Sequence, residues 1–165
     1  MKTPEILVVG GGHAGVEAAL AVARKKIPVL LATMDVDSIG RMSCNPAIGG
    51  LAKGHLVREI DALGGIMGEA ADKTSIQFKT LNKSKGRAVW SPRAQVDKIK
   101  YSQYIQSTIR KNKYIKVIEK NVVDIIVDNN SIVGCVFETG EKVSLKALII
   151  TAGTFLDGKI HVGQT

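Results

Sequence analysis

Residues Ile6-Leu7-Val8-Val9 run straight into Gly10-Gly11-Gly12-His13-Ala14-Gly15, and a helical stretch, Val16 to Arg24, follows at once. A short apolar run, a G-x-G-x-x-G turn and a helix, in that order, read as the opening of a dinucleotide-binding βαβ unit. Gly10 permits the sharp turn out of the strand. Gly12 removes a Cβ, so backbone can approach a pyrophosphate, and Gly15 lets the helix pack closely on the strand. The helix N-terminus then offers unpaired N–H groups and partial positive charge to phosphate. The bland alternative is a purely structural glycine turn. The pattern predicts a strand at Ile6–Val9, a helix over Ala14–Lys25 and, after Pro28, a second strand at Val29–Ala32. That βαβ order predicts a parallel sheet.

Such folds often hold ribose hydroxyls with an acid at the end of the second strand. Here that strand runs into Thr33-Met34-Asp35, so Thr33 or Asp35 is the expected ribose contact. Ser38 to Gly54 reads as a glycine-rich loop entering a helix over Leu51–Leu63, which Gly64-Gly65 ends. A short strand at Ser75–Thr80, a basic loop at Leu81–Pro92 and a helix over Arg93–Asn112 are expected next. Strands at Val122–Val127, Ile132–Glu138 and Lys142–Ile150 follow, separated by Asn129-Asn130-Ser131 and Thr139-Gly140-Glu141. The last strand runs into Thr151-Ala152-Gly153, bringing bare backbone to a strand's C-terminal end, where α/β ligands sit.

At 165 residues, 45% hydrophobic and 23% charged, the chain is expected to be one globular domain with a core of its own. Two cysteines make no disulfide framework, which suits a reducing compartment. There is no secretory leader pattern and no apolar run long enough to cross a bilayer, so the expectation is a soluble, cytoplasmic protein with no membrane partner. The three histidines have no metal-ligand spacing.

The net charge of +8 is uneven. Residues 79–120 hold 12 Lys/Arg against two acids, Asp97 and Glu119, and leave the rest of the chain slightly acidic. Trp90, Tyr101, Tyr104 and Tyr114 lie in the same window. Cations interleaved with aromatics suit nucleic acid, by phosphate attraction and base stacking. A solvated helix face with aromatics turned inward is the alternative, and Tyr101, Ile105 and Ile109 share a helical stripe with Ala94 that suits a core.

Ser43-Cys44-Asn45-Pro46-Ala47-Ile48-Gly49-Gly50-Leu51-Ala52-Lys53-Gly54-His55 is too elaborate for a plain connector. Cys44 precedes a helix start, where the helix field and Lys53 would favour thiolate. An inert loop cysteine is the other reading. Cys135, among Val133, Val136 and Phe137, is expected in the core. His13 is either a phosphate contact or a tolerated variable position of the turn.

Taken together, these motifs resemble the N-terminal part of the GidA (MnmG) family of tRNA uridine-5-carboxymethylaminomethyl modification enzymes. The resemblance rests on Gly10–Ala19, Met42–Gly50, Lys53–Gly65, Leu81–Gly86, Arg93-Ala94-Gln95 and Thr151–His161, which occur in family order along nearly the whole chain. The glycine fingerprint is common to many flavoproteins; Cys44-Asn45-Pro46-Ala47-Ile48-Gly49-Gly50 is far more specific. Arg87 departs from the pattern, standing where the family usually has proline.

The resemblance implies an incomplete Rossmann-like FAD-binding domain with a parallel sheet and a β-meander. It implies FAD as cofactor, NADH and methylenetetrahydrofolate as co-substrates, tRNA as substrate, an MnmE-type GTPase as partner and a homodimer at full length. Gly10, Gly11, Gly12, His13, Ala14, Gly15, Thr33, Val122, Ala152 and Gly153 become the expected FAD contacts. Cys44 becomes the catalytic residue, and Lys83, Lys85, Arg87 and Arg93 the tRNA contacts. Family members are several times longer, so the chain is expected to be an N-terminal portion that does not turn over alone. A folate- and FAD-dependent tRNA uridine-54 methyltransferase relative, or a flavin-free RNA- or partner-binding module, remain the competing readings.

Overall fold

The computed structural model describes residues 5–154. Strand β1 (Ile6–Val9) turns into helix α1 (His13–Arg24), and β2 (Val29–Thr33) returns. A 3-10 turn at Val36–Ser38 leads to β3 (Ala47–Gly49), α2 (Lys53–Ala62), α3 (Met67–Thr74) and β4 (Ser75–Leu81). Two more 3-10 turns, Lys83–Lys85 and Arg87–Val89, precede β5 (Ser91–Val96) and α4 (Lys98–Lys111). The remaining strands are β6 (Ile115–Glu119), β7 (Val122–Asp128), β8 (Ser131–Phe137), β9 (Lys142–Ser144) and β10 (Ala147–Ile150).

Four parallel strands in the order β10-β1-β2-β6 form the main sheet. Successive side chains of a strand point to opposite faces, and here both faces are covered. Val8, Val29 and Leu31 pack into the larger core with Val16, Ala19 and Leu20 of α1 and Tyr101, Ile105 and Ile109 of α4. Leu7, Leu30 and Ala32 pack on the other side with Cys135, Phe137 and Leu145. That second layer is the antiparallel meander β7-β8-β9. Burial on both faces is why β1 and β2 read as unbroken apolar runs. A third, antiparallel sheet, β3-β5-β4, stands beside the helical layer. The expected parallel sheet and meander are therefore both present.

Four local expectations change. The helix expected from Arg93 begins at Lys98, where the Asp97 carboxylate accepts from the Ile99 and Lys100 N–H groups at 3.0 Å. Arg93 instead pairs with Gly49 and Lys79 in the centre of the β3-β5-β4 sheet, and Ala94 joins the core from that strand. The glycine-rich loop contains β3, so α2 starts at Lys53 rather than Leu51. Val122 is not on the first strand after the basic helix; β6 comes between, and Val122 opens the meander. Finally, Lys142–Ile150 is two strands in two sheets. The break falls at Leu145-Lys146, where the Leu145 N–H donates to Val133 and the next two N–H groups donate to the Glu5 carbonyl.

Helix α3 has no capping side chain of its own. The carboxylate of Glu17, on α1, accepts from the Ile66 and Met67 N–H groups at 2.9 and 2.8 Å and does that work from another helix.

Candidate functional site

The glycine turn lies at the C-terminal end of β1, between β2 and β10. The Gly10 N–H donates to Ala32 at 2.8 Å, and Thr151 donates from both its N–H and its hydroxyl to Val9. Gly10 has φ +105, and a Cβ there would collide with the Thr151 carbonyl. A Cβ on Gly15 would collide with the Gly10 carbonyl. These two glycines are required by the protein's own packing. Gly12 is not: it is exposed, and among the described residues a Cβ there would meet nothing within 4 Å.

Helix α1 starts at that open position with no side-chain cap and no acid in its first turn. A helix N-terminus left with free N–H groups at the C-terminal edge of a parallel sheet is an anion site. Gly11 lies against the Thr33 side chain, and exposed Ala14, Ala152 and Gly153 border the same edge. The expected cofactor residues from β1, α1, β2 and β10 are thus gathered at one edge.

His13 departs from the group. Its ring packs on Tyr101 with centroids 5.7 Å apart, and among the described residues its Nε2 is buried without a partner, as is the Tyr101 hydroxyl. Burial, reinforced by the Lys53 charge, holds the His13 imidazole below its ordinary 6.5. Burial pushes the Tyr101 phenol up, helped by Glu17. The place His13 occupies in the turn is therefore filled with its ring directed inward.

Thr33 is buried, and its hydroxyl donates to the Asp35 carbonyl at 3.1 Å. The Asp35 carboxylate accepts from Asp37 N–H at 2.8 Å and caps the following 3-10 turn. Sequence reasoning missed Glu119, which stands across from Thr33 at the end of β6 and accepts from Val36 N–H at 3.2 Å. Met34, Glu119, Lys120, Asn121 and Phe137 line a cavity of about 300 Å³ at these strand ends. The signal for Glu119 was the short β-branched run Ile115-Lys116-Val117-Ile118 that ends on it, obscured by the surrounding lysines.

The Cys44 loop departs directly from the glycine turn, since Gly40 N–H donates to the Gly11 carbonyl at 2.9 Å. Cys44 is exposed, with the Ser43 hydroxyl 3.9 Å from its sulfur. The Pro46 carbonyl accepts from Val96 N–H, which ties this loop to β5. Strand β3 separates Cys44 from α2, and the Lys53 ammonium donates to the Ala47 carbonyl at 3.1 Å. Cys135 is fully buried, as expected, and burial pushes its thiol up.

Lys83, Lys85 and Arg87 are exposed on a folded tab rather than a loose loop. Asn82 and Gly86 take left-handed φ values of 59 and 96, the Asn82 amide donates to Val89, and the Trp90 indole donates to Lys83 at 3.2 Å. The Arg87 guanidinium lies 5.7 Å over the Trp90 ring. Arg93 joins Lys83 and Lys79 along one cavity at the root of the tab. Among the described residues no group of three or more His, Cys, Asp or Glu is placed to hold a metal ion, and no helix is long and apolar enough to cross a membrane.

A parallel sheet with a strand–glycine turn–helix edge, helices on one face and a meander on the other is a Rossmann-like FAD-binding fold. The profile of the family described as Glucose inhibited division protein A matches residues 5–165. The chain belongs to that family. It is 52% identical to Aquifex aeolicus GidA, with a TM-score of 0.91 over 98% of this chain and 27% of that one in one crystal form. A second crystal form gives a TM-score of 0.89 over 94% and 26%. The chain thus spans about a quarter of that relative's length. The GidA-related protein of Thermus thermophilus (TM-score 0.63, 15% identity, 92% and 54% covered) shares the fold. So does the flavin-dependent brominase Bmp2 (TM-score 0.60, 17% identity, 93% and 39% covered).

Proposed function

We propose that this chain is the FAD-binding N-terminal portion of an enzyme that modifies tRNA. The enzyme, acting with an MnmE-type GTPase, installs a (carboxymethyl)aminomethyl group at C5 of the wobble uridine, position 34. It draws on methylenetetrahydrofolate and NADH and works as a homodimer. The observation that carries the cofactor reading is the open cradle at Gly12. There an uncapped helix N-terminus meets free space at the sheet edge, in a chain of the GidA family. The residues present suit a dinucleotide: N–H groups for the pyrophosphate, and strand ends with Glu119 and Asn121 for the ribose and base.

Gly12, Ala14 and the first turn of α1 would hold the pyrophosphate, and Ala152 and Gly153 would border the chain toward the flavin. FAD, when bound, supplies the redox chemistry of the reaction. Cys44 supplies the nucleophile or the proton carrier. In the first role its sulfur bonds to uridine C6, and the electron pair of the C5–C6 double bond moves to C5, making it nucleophilic. In the second it moves the C5 proton. Lys83, Lys85, Arg87 and Arg93 attract the tRNA backbone.

The test is to purify the enzyme that contains this chain, release its chromophore by heat, and assay wobble-uridine modification with the GTPase present. The expected results are one FAD per chain and modified tRNA, lost with FAD retained in Cys44→Ser. A colourless protein that takes up no FAD on titration refutes the cofactor reading. Undiminished modification by Cys44→Ser refutes the role of Cys44.

A further inference from the structure

A cavity of about 310 Å³ opens between α2 and the β3-β5-β4 sheet. The cofactor reading leaves it unused. Its walls join two aromatic rings, Phe78 and Trp90, to polar groups of both kinds: His55, Arg58 and Arg93 against Asp61 and Asp72. A second cavity, of about 320 Å³, shares Phe78, Pro92 and Arg93 with it. That one adds Lys79, Lys83 and Thr80 and has no acid in its lining. An aromatic, hydrogen-bonding pocket therefore adjoins a cationic one across Phe78, Pro92 and Arg93.

In this chain, which spans about a quarter of its GidA relative, both aromatic rings are open to solvent. Phe78 is 66% exposed and Trp90 is 43% exposed. Trp90 is nonetheless held in place, by its indole bond to the Lys83 carbonyl and by Arg87 over its ring. A fixed, exposed indole loses little freedom when a planar ligand stacks on it. The volume lies at the bottom of the range of about 300–1,000 Å³ usual for small-molecule sites. It suits one planar ring system and is too small for a dinucleotide.

We propose that the two adjoining cavities together take one nucleotide of a single-stranded RNA segment. The base lies against Phe78 and Trp90, its edge toward Arg58 and Asp61, and its phosphate points to Lys79, Lys83 and Arg93. A base can enter such a pocket only when unpaired, so single strands are preferred over duplex. The inference rests on the RNA-substrate reading above and adds a base-stacking subsite on side chains that reading did not use.

The experiment uses the 165-residue chain, whose single tryptophan is Trp90. Binding of a labelled uridine heptamer is followed by anisotropy, and stacking by quenching of Trp90 emission with the unlabelled heptamer. Saturable quenching with the midpoint of the anisotropy curve supports the subsite. So does a loss of about fivefold or more in affinity for Phe78→Ala and for Trp90→Leu. An RNA duplex of the same length should quench less. Anisotropy that reports binding while Trp90 emission stays constant overturns the subsite and leaves the RNA reading standing. No anisotropy change with either RNA removes the RNA contacts assigned to this chain, and the subsite with them. The quenching test needs no variant, so it holds even where a substitution unsettles the fold.

Discussion

Placing a carboxylate at Gly12 separates the cofactor role of the glycine turn from its structural role. Gly12 has φ −70 and ψ −177, angles open to any L-residue, and a Cβ there meets nothing within 4 Å. Gly12→Glu therefore costs no backbone strain. An acid at an uncapped helix N-terminus stabilises the helix by about 0.3–1 kcal/mol. In a domain of this size that raises the melting temperature of the flavin-free protein by about 1–4 °C. Toward a pyrophosphate in the same space the sign reverses. Two unit charges about 4 Å apart repel by about 1 kcal/mol in water and about 4 kcal/mol at an effective dielectric near 20. FAD affinity should then fall between about fivefold and about a thousandfold. Flavin-fluorescence titration measures the affinity, and thermal melts with and without FAD measure the linked stabilisation. Higher salt should narrow the deficit. Gly15→Ala is the contrasting variant, because its Cβ collides with the Gly10 carbonyl and lowers the melting temperature without FAD. Unchanged FAD affinity in Gly12→Glu would refute the assignment of this turn to the pyrophosphate.

Other expectations follow from single features. An aromatic disulfide reagent should modify one thiol, Cys44, in the native chain and reach Cys135 only on unfolding; two fast thiols would contradict the buried strand position. Because His13 is held below 6.5, the unfolded chain takes up that proton more readily than the folded one. The stability due to neutral His13 is present above about pH 6.5 and is lost as pH falls toward the lower folded value. Melting temperatures at pH 7.5 and 5.5 should thus differ less in His13→Gln than in the parent. For RNA binding, Lys85→Glu with Arg93→Glu should lower the slope of log affinity against log salt by about 0.7 for each phosphate no longer neutralised. An unchanged slope would make that tab an ordinary solvated surface.

The strand–turn–helix–strand opening was legible because its determinants are local: an apolar run, three spaced glycines and a proline. Tyr101, Ile105 and Ile109 were legible as core for the same reason, a helical period within one element. Arg93 was misread because Ser91–Val96 becomes a strand only through its partners Gly49 and Lys79, distant in sequence. Helix α3 was missed because its N-terminal acceptor is Glu17, about fifty residues earlier. At the site, the glycine cradle came from motif and context, whereas Glu119 and the Phe78–Trp90 cavity exist only where separate elements meet. Cys44 was identified by its surrounding sequence, whereas the bond from the Lys53 ammonium to the Ala47 carbonyl depends on how the loop folds and was not legible there.

The hydroxyl of Thr151 bonds to Val9, 142 residues earlier. The two walls of the glycine cradle are therefore made 142 residues apart. At synthesis rates of about 5–20 residues per second, the turn waits on the order of ten seconds for the neighbour that shapes Gly10. Until β10 docks, β1 lacks a partner on one side and Leu145 has not closed the second core layer. The cradle is thus complete only once β10 has been made, its timing set by the arrival of a single strand.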